Sequence, residues 1–363
     1  MRKMIAAWMC AASFCVCGPA LAFSQDVGGT WYGHEKITVL GAKLAKGATA
    51  EPAKNEVPCA VTLCDTYGTN NFKTYSAVLG ERYTDFGGYA VVGSALVVQD
   101  ARSHTCLDAT MQNSDVAQAW HALRRKCDVG GQGLRNTHAI YLKWLKDMFL
   151  FSVKQPSTTI EVHDGGGTLA MRKVDRRYFT FGIVVHGVQD SFSTEHTVRS
   201  SDWKKISDFK TYVGTASALP HRHDMPTQPA HGDFIYTQGG RFDKAKNLTL
   251  GVDSFKLSAK AAALATEDLF KTFERALKSP PSASTEFDGF AKRMLQLDPS
   301  SEALNNPAKN TVDCAPDPAI EKTRKACCAP DPAVEKMRKA CLAAAGTDLG
   351  GLFPRFGRSK AKP

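Results

Sequence analysis

A mainly helical fold is what this sequence predicts, and three observations carry that expectation. Apolar residues recur at helical spacing in separate stretches along the chain, sustained strand alternation is scarce, and the longest stretch is rich in alanine and other strong helix formers. Taken in order, Ile37 to Ala45 shows the first such spacing. Val116 to Lys126 follows, then Ala139 to Val153, which carries Trp144, Leu145, Met148 and Phe149. Phe179 to Phe192 is apolar almost throughout and is interrupted at His186, Gln189 and Asp190. Ser254 to Lys278 is a long amphipathic candidate. Tyr89 to Val98 is the best strand, although its apolar run also suits a buried helix. A chain of 363 residues with 43% hydrophobic content readily buries one large core, and that domain is assigned to residues 23–278.

The ends read differently. Arg2 and Lys3 precede the apolar stretch Met4 to Val16, Gly18-Pro19 breaks it, and Ala20-Leu21-Ala22 offers small residues for a signal peptidase. Residues 1–22 are therefore expected to be a secretory signal peptide, because the stretch is shorter than the roughly 20 residues a membrane span needs. The implied location is secreted or periplasmic. Outside that segment eight cysteines remain, an even number that suits disulfides in an exported chain; no Cys-x-x-Cys pair suggests a zinc ribbon. The net charge of +10 becomes +8 without Arg2 and Lys3, a balance drawn to anionic surfaces such as nucleic acid or an anionic membrane, or one that only aids solubility.

Beyond the domain, Ser279-Pro-Pro-Ser-Ala-Ser has linker composition, and 279–313 is expected to be a linker. An internal repeat follows over 314–345. Cys314-Ala-Pro-Asp-Pro-Ala-Ile-Glu-Lys-Thr-Arg-Lys-Ala-Cys327 is succeeded at once by Cys328-Ala-Pro-Asp-Pro-Ala-Val-Glu-Lys-Met-Arg-Lys-Ala-Cys341. Each copy places Asp-Pro where a short helix would start, and paired cysteines are expected to staple a unit too small for its own core. The basic tail 346–363 is expected to be disordered.

The chemistry sits in the fourth apolar stretch. His186 and Asp190 are four residues apart and so share one face of a helix. A histidine and a carboxylate buried there need compensation, either from each other or from a metal ion, for which both are ordinary ligands. Asp164-Gly-Gly-Gly-Thr168 lacks a phosphate-loop lysine and reads as a turn, and His121 and His138 read as ordinary surface or core histidines. Ser191 and Ser193 lack the glycine-flanked elbow of a serine hydrolase.

His186-x3-Asp190-x5-His196 resembles the ligand segment of the zinc-dependent phospholipase C and single-strand-specific zinc nuclease superfamily, in particular its bacterial phospholipase-like branch. The likeness covers about Trp31 to Tyr236. It implies a multi-helix domain with long loops that holds a cluster of two or three zinc ions. Trp31-Tyr-Gly-His34 is similar to the family's N-terminal segment, though Trp31 lies nine residues beyond Ala22, whereas in well-known members that tryptophan begins the mature chain and ligates through its amino group. A second processing step, Phe23, or weaker binding would each account for this.

By resemblance, Asp85, His104, His186 and Asp190 would hold one zinc ion, His196, His221 and Asp224 a second, and His34 with Asp190 a third. Asp85 is equally readable as a turn or cap residue, and by analogy as a general base. The family's histidine and carboxylate four residues apart are not reproduced at His221 and Asp224, which are three apart, and His223 and Asp233 stand in reserve. The resemblance implies hydrolysis of a phosphodiester, with a phospholipid as substrate, single-stranded nucleic acid as the alternative, and a non-catalytic metal-binding envelope protein as a third reading. Anionic phosphodiesters resist attack, so divalent ions that neutralise, orient and acidify water fit the task.

Overall fold

The structure is a computed structural model of the chain and describes residues 33–45, 71–86, 89–92, 95–98, 120–125, 128–163, 171–194, 196–210 and 257–307. In chain order these form α1 (Gly33–Ala45), α2 (Phe72–Phe86), β1 (Tyr89–Val92), β2 (Ala95–Val98), α3 (Gly130–Lys154), β3 (Thr159–His163), β4 (Met171–Asp175) and α4 (Arg176–Asp190). There follow β5 (Thr197–Arg199), β6 (Lys205–Phe209), α5 (Leu257–Lys278), α6 (Ala283–Met294), β7 (Gln296–Leu297) and α7 (Glu302–Asn305). The described residues are mainly helical, as expected. The signal segment, the Cys-flanked repeat, the basic tail and the Asp164 to Thr168 turn lie outside them. No helix among them is long and apolar enough to cross a membrane.

Helix α4 is the axis of the fold. Every residue from Tyr178 to Asp190 is buried, and the helix packs against α1, α2, α3 and α5. Its start is set by Asp175, whose carboxylate accepts from the Arg177 and Tyr178 amides at 2.9 and 3.1 Å. A cap of that kind contributes about 1 kcal/mol. The same junction is tied to α2, because the Asp175 amide donates to Ser76 Oγ, which in turn donates to the Phe72 carbonyl.

Two glycines let α2 and α4 touch backbone to backbone. A Cβ on Gly80 would lie 1.8 Å from the Phe179 carbonyl oxygen, and one on Gly182 would lie 2.0 Å from that of Ala77. No side chain fits in either place, so the helices approach more closely there than ordinary ridges-in-grooves packing allows.

Behind α4 the core is aromatic. Phe181 stacks on Phe273 of α5 at 3.9 Å, and Phe149 and Tyr178 meet the Phe273 ring edge to face at 5.7 and 5.6 Å. Phe273 is fully buried, so Phe273→Ala is expected to cost about 3–5 kcal/mol in urea unfolding. A loss below 1 kcal/mol would mean that this ring is not central to the core.

Two small sheets flank the helices. One is a four-stranded antiparallel sheet in the order β2-β1-β3-β4; the other is β5-β6-β7, in which β7 runs parallel to β6. Tyr89 to Val98 thus supplies a strand hairpin, not a buried helix. The short strands β3 to β7 are additions that the apolar pattern does not announce.

Two expectations need correction. The supposed linker beginning at Ser279 is part of the packed body as far as 307. Pro280–Ser282 forms a single 3-10 turn, and α6 then buries Phe287, Phe290 and Ala291, with Phe287 against Phe149 at 5.3 Å. The apolar stripe of this short helix outweighs the loop composition before it. The helix expected over Val116 to Lys126 does not continue past Trp120 in its described part. His121 and Ala122 make a turn, Ala122 has a φ of 50°, and the Arg124 amide donates to the Lys210 carbonyl at 2.8 Å. A φ of that sign ends any helix at this point.

Candidate metal centre

The C-terminal turn of α4 carries His186 and Asp190 on one face, and three other segments bring histidines to it. Helix α1 supplies His34, the turn at 120–125 supplies His121, and the turn leaving α4 supplies His196. All five side chains are buried, with none more than 2% exposed. Asp190 is the meeting point. Its Oδ1 lies 3.3 Å from His34 Nε2, and its Oδ2 lies 3.0 Å from His186 Nε2, 3.1 Å from His121 Nδ1 and 3.8 Å from His196 Nδ1. His186 Nε2 is in turn 3.3 Å from His121 Nδ1.

The turn after Asp190 is rigidly held. The Arg199 guanidinium donates to the Ser191 carbonyl and hydroxyl and to the carbonyls of Trp203 and Met294, while lying 3.5 Å over the Phe192 ring. Thr197 Oγ1 donates to the same Ser191 carbonyl at 2.7 Å. Ser191 Oγ itself donates to the Val188 carbonyl at 2.7 Å. His196 is placed by its Nδ1 bond to the His121 carbonyl and by the Lys210 amide donating to its own carbonyl.

The electrostatics suit a cation. Burial works against ionisation of Asp190, but the charges of His186 and His196 and hydrogen bonds from His121 and His186 overcome it and hold the carboxyl well below the usual range. Burial lowers the His196 imidazole to about 4, against the pull of Asp190 and of the His121 carbonyl. An anionic carboxylate beside a neutral imidazole, as at Asp190 and His196, is the protonation state in which such groups ligate metals.

Geometry supports the same reading. Two ligand atoms on one tetrahedral zinc ion, each about 2.0–2.1 Å from it, sit about 3.3–3.4 Å apart. His121, His186 and Asp190 form a triangle with sides of 3.0, 3.1 and 3.3 Å, close to that value, and imidazole with carboxylate is a zinc-type donor set. A second group within reach of one ion comprises His34, Glu81 and His186. Glu81 Oε1 lies 3.5 Å from His186 Nδ1 and 3.9 Å from His34 Nδ1.

Of the residues expected from sequence, the structure therefore brings His34, His186, Asp190 and His196 together. His104, His221 and Asp224 lie outside the described residues, as does the side chain of Asp85, whose backbone is the next turn of α2 after Glu81. Sequence reasoning missed His121 and Glu81. His121 was read as an ordinary histidine, and the structure corrects this by placing its ring against both Asp190 and His186; it sits in a turn 65 residues before His186, and no local spacing marks it. The one signal for Glu81 is its place four residues before Asp85, which the resemblance singles out. His138, read alike as ordinary, is indeed elsewhere, with its Nε2 2.6 Å from the Leu295 carbonyl.

No family model matches the chain, and no solved structure matches it. Over 221 residues it is 33% identical to Hemolysin-1 of Aeromonas salmonicida. The matched stretch covers 58% of this chain, and the chain spans only 37% of that relative's length.

Proposed function

We propose that this chain is an exported, zinc-dependent phosphodiester hydrolase of the phospholipase C type. The observation that carries the proposal is the convergence of His34, His121, His186 and His196 on both oxygens of the buried Asp190 carboxylate. These five residues would hold the ions, with Asp190 facing two sides through its two oxygens. Zinc bound there would supply positive charge against a phosphodiester and lower the pKa of a bound water. The chain itself keeps His196 neutral and Asp190 ionised, and the Arg199 guanidinium fixes Ser191, the residue next to Asp190.

Two further observations favour a lipid substrate and export. The similar Aeromonas protein is named a hemolysin, and a membrane phosphodiester is the substrate class in keeping with that name. The charged start and apolar stretch of residues 1–22 fit secretion.

Metal analysis and paired assays test the proposal. Purified full-length chain is expected to carry about two or three zinc ions, as its donor set suggests. It should hydrolyse phosphatidylcholine faster than single-stranded DNA and lose turnover on chelation, with recovery when zinc is restored. Faster cleavage of DNA would make it a nuclease on the same cluster. Full metal content with neither activity would make it a non-catalytic metal-binding protein. Less than one ion per chain would remove the basis of all three.

A further inference from the structure

Two side chains beside the cluster face the histidines from outside. Gln189 Oε1 lies 2.7 Å from His34 Nδ1, and Gln189 Nε2 lies 2.8 and 3.3 Å from the hydroxyls of Thr38 and Thr266. With its amide N–H groups directed at the two hydroxyls, the carbonyl oxygen is the end presented to His34. A carbonyl only accepts, so His34 carries its proton on Nδ1 and donates it there. The lone pair of the neutral ring is then on Nε2, the atom 3.3 Å from Asp190 Oδ1. His186 has its acceptor farther off. Its Nδ1 faces Glu81 Oε1 at 3.5 Å, beyond an ordinary hydrogen bond, while its Nε2 donates to Asp190 Oδ2 at 3.0 Å and faces His121. The two rings stack at 4.5 Å with planes 21° apart, and both turn Nε2 toward Asp190.

We infer that Glu81 and Gln189 are positioning residues, not ligands. Gln189 keeps the proton of His34 on Nδ1, and Glu81 is the acceptor facing His186 Nδ1 when a metal replaces the proton on Nε2, so that both rings offer Nε2 to the metal beside Asp190. This rests on the zinc-site reading above and assigns roles that the family resemblance leaves blank. The alternative, a trio of His34, Glu81 and His186 around one ion, would need His34 Nδ1 to leave Gln189. The buried hydrogen bond to Gln189 is the shorter contact, at 2.7 Å against 3.9 Å to Glu81. Outer-shell carboxylates and amides of this kind raise ligand basicity and fix ring orientation, and losing one typically weakens metal binding by about 10–100-fold.

The test measures Zn2+ alone on the full-length chain, with Co2+ as a spectroscopic substitute, and compares Glu81→Gln, Gln189→Leu and Gln189→Glu with the unaltered protein. Glu81→Gln and Gln189→Leu should keep the same number of zinc ions and the same Co2+ absorption band positions, while zinc affinity drops about 10–100-fold in competition with a chelator. Gln189→Glu keeps an acceptor for His34 but loses the donor to Thr38 and Thr266. It should bind zinc at least as tightly as the parent, whereas a merely structural amide would make it behave like Gln189→Leu. Loss of one whole equivalent of metal or a changed Co2+ spectrum in Glu81→Gln would make Glu81 a ligand and overturn the inference. Unchanged affinity in both Glu81→Gln and Gln189→Leu would overturn it too, with the zinc site itself left standing. A parent protein that binds no zinc would instead remove the site reading on which the inference rests.

Discussion

On the proposed reading as a zinc-dependent phosphodiester hydrolase, Asp190→Asn is expected to empty the metal centre and reduce turnover of phosphatidylcholine by more than about a hundredfold, beyond the 10–100-fold typical of a lost outer-shell partner. The substitution keeps the size of the side chain, so packing at the end of α4 is preserved. What it removes is the negative charge that four histidines surround and the second oxygen lone-pair set they share. An amide keeps one neutral carbonyl oxygen and puts an NH2 donor, which cannot ligate a cation, in place of the other oxygen. Zinc content by mass spectrometry or atomic absorption and kcat/KM at saturating zinc are the two measurements. A variant that retained both would show that the chemistry lies elsewhere in the chain.

The second large effect is on stability. Gly182→Val should destabilise the protein by about 3 kcal/mol or more, at or above the top of the 1–3 kcal/mol range for overpacked cores, because its neighbours are backbone and cannot rotate away. The added Cβ would lie 2.0 Å from the Ala77 carbonyl oxygen and 2.7 Å from the Glu81 amide, so α2 must move, and it carries Glu81 with it. Gly289→Ala is the control. Its Cβ would meet only the far end of the Arg293 side chain at 3.5 Å, and replacing a mid-helix glycine should stabilise by about 0.5–1 kcal/mol. Urea midpoints read both. Equal effects at the two positions would show that the close approach of α2 and α4 is not maintained in solution.

Legibility in the sequence followed the range of the interaction. The apolar stretches that became α1, α3, α4 and α5 carry their pattern within a few turns, so helical spacing was enough to find them. His186 and Asp190 were legible for the same reason, being four apart on one face, and His196 follows within a turn of chain. His121 was not, since its contact with His186 spans 65 residues and its own segment bends at Ala122 where the pattern suggested a helix. The Ser279-Pro-Pro-Ser start hid α6. Phe287 and Phe290, three apart, were the local clue, but their partners lie on α3 and α5. The strands β3 to β7 are two to five residues long and owe their pairing to neighbours distant in sequence.

Helix α4 ends at Asp190, and that position has an electrostatic consequence. The C-terminal end of a helix carries about half a negative charge from its aligned peptide dipoles, which disfavours a carboxylate there and favours a cation. Asp190 adds a full negative charge at that same end, in a place closed to water. Dipole and side chain together make the end of α4 a sink for positive charge, and the fold spends stability to keep it so.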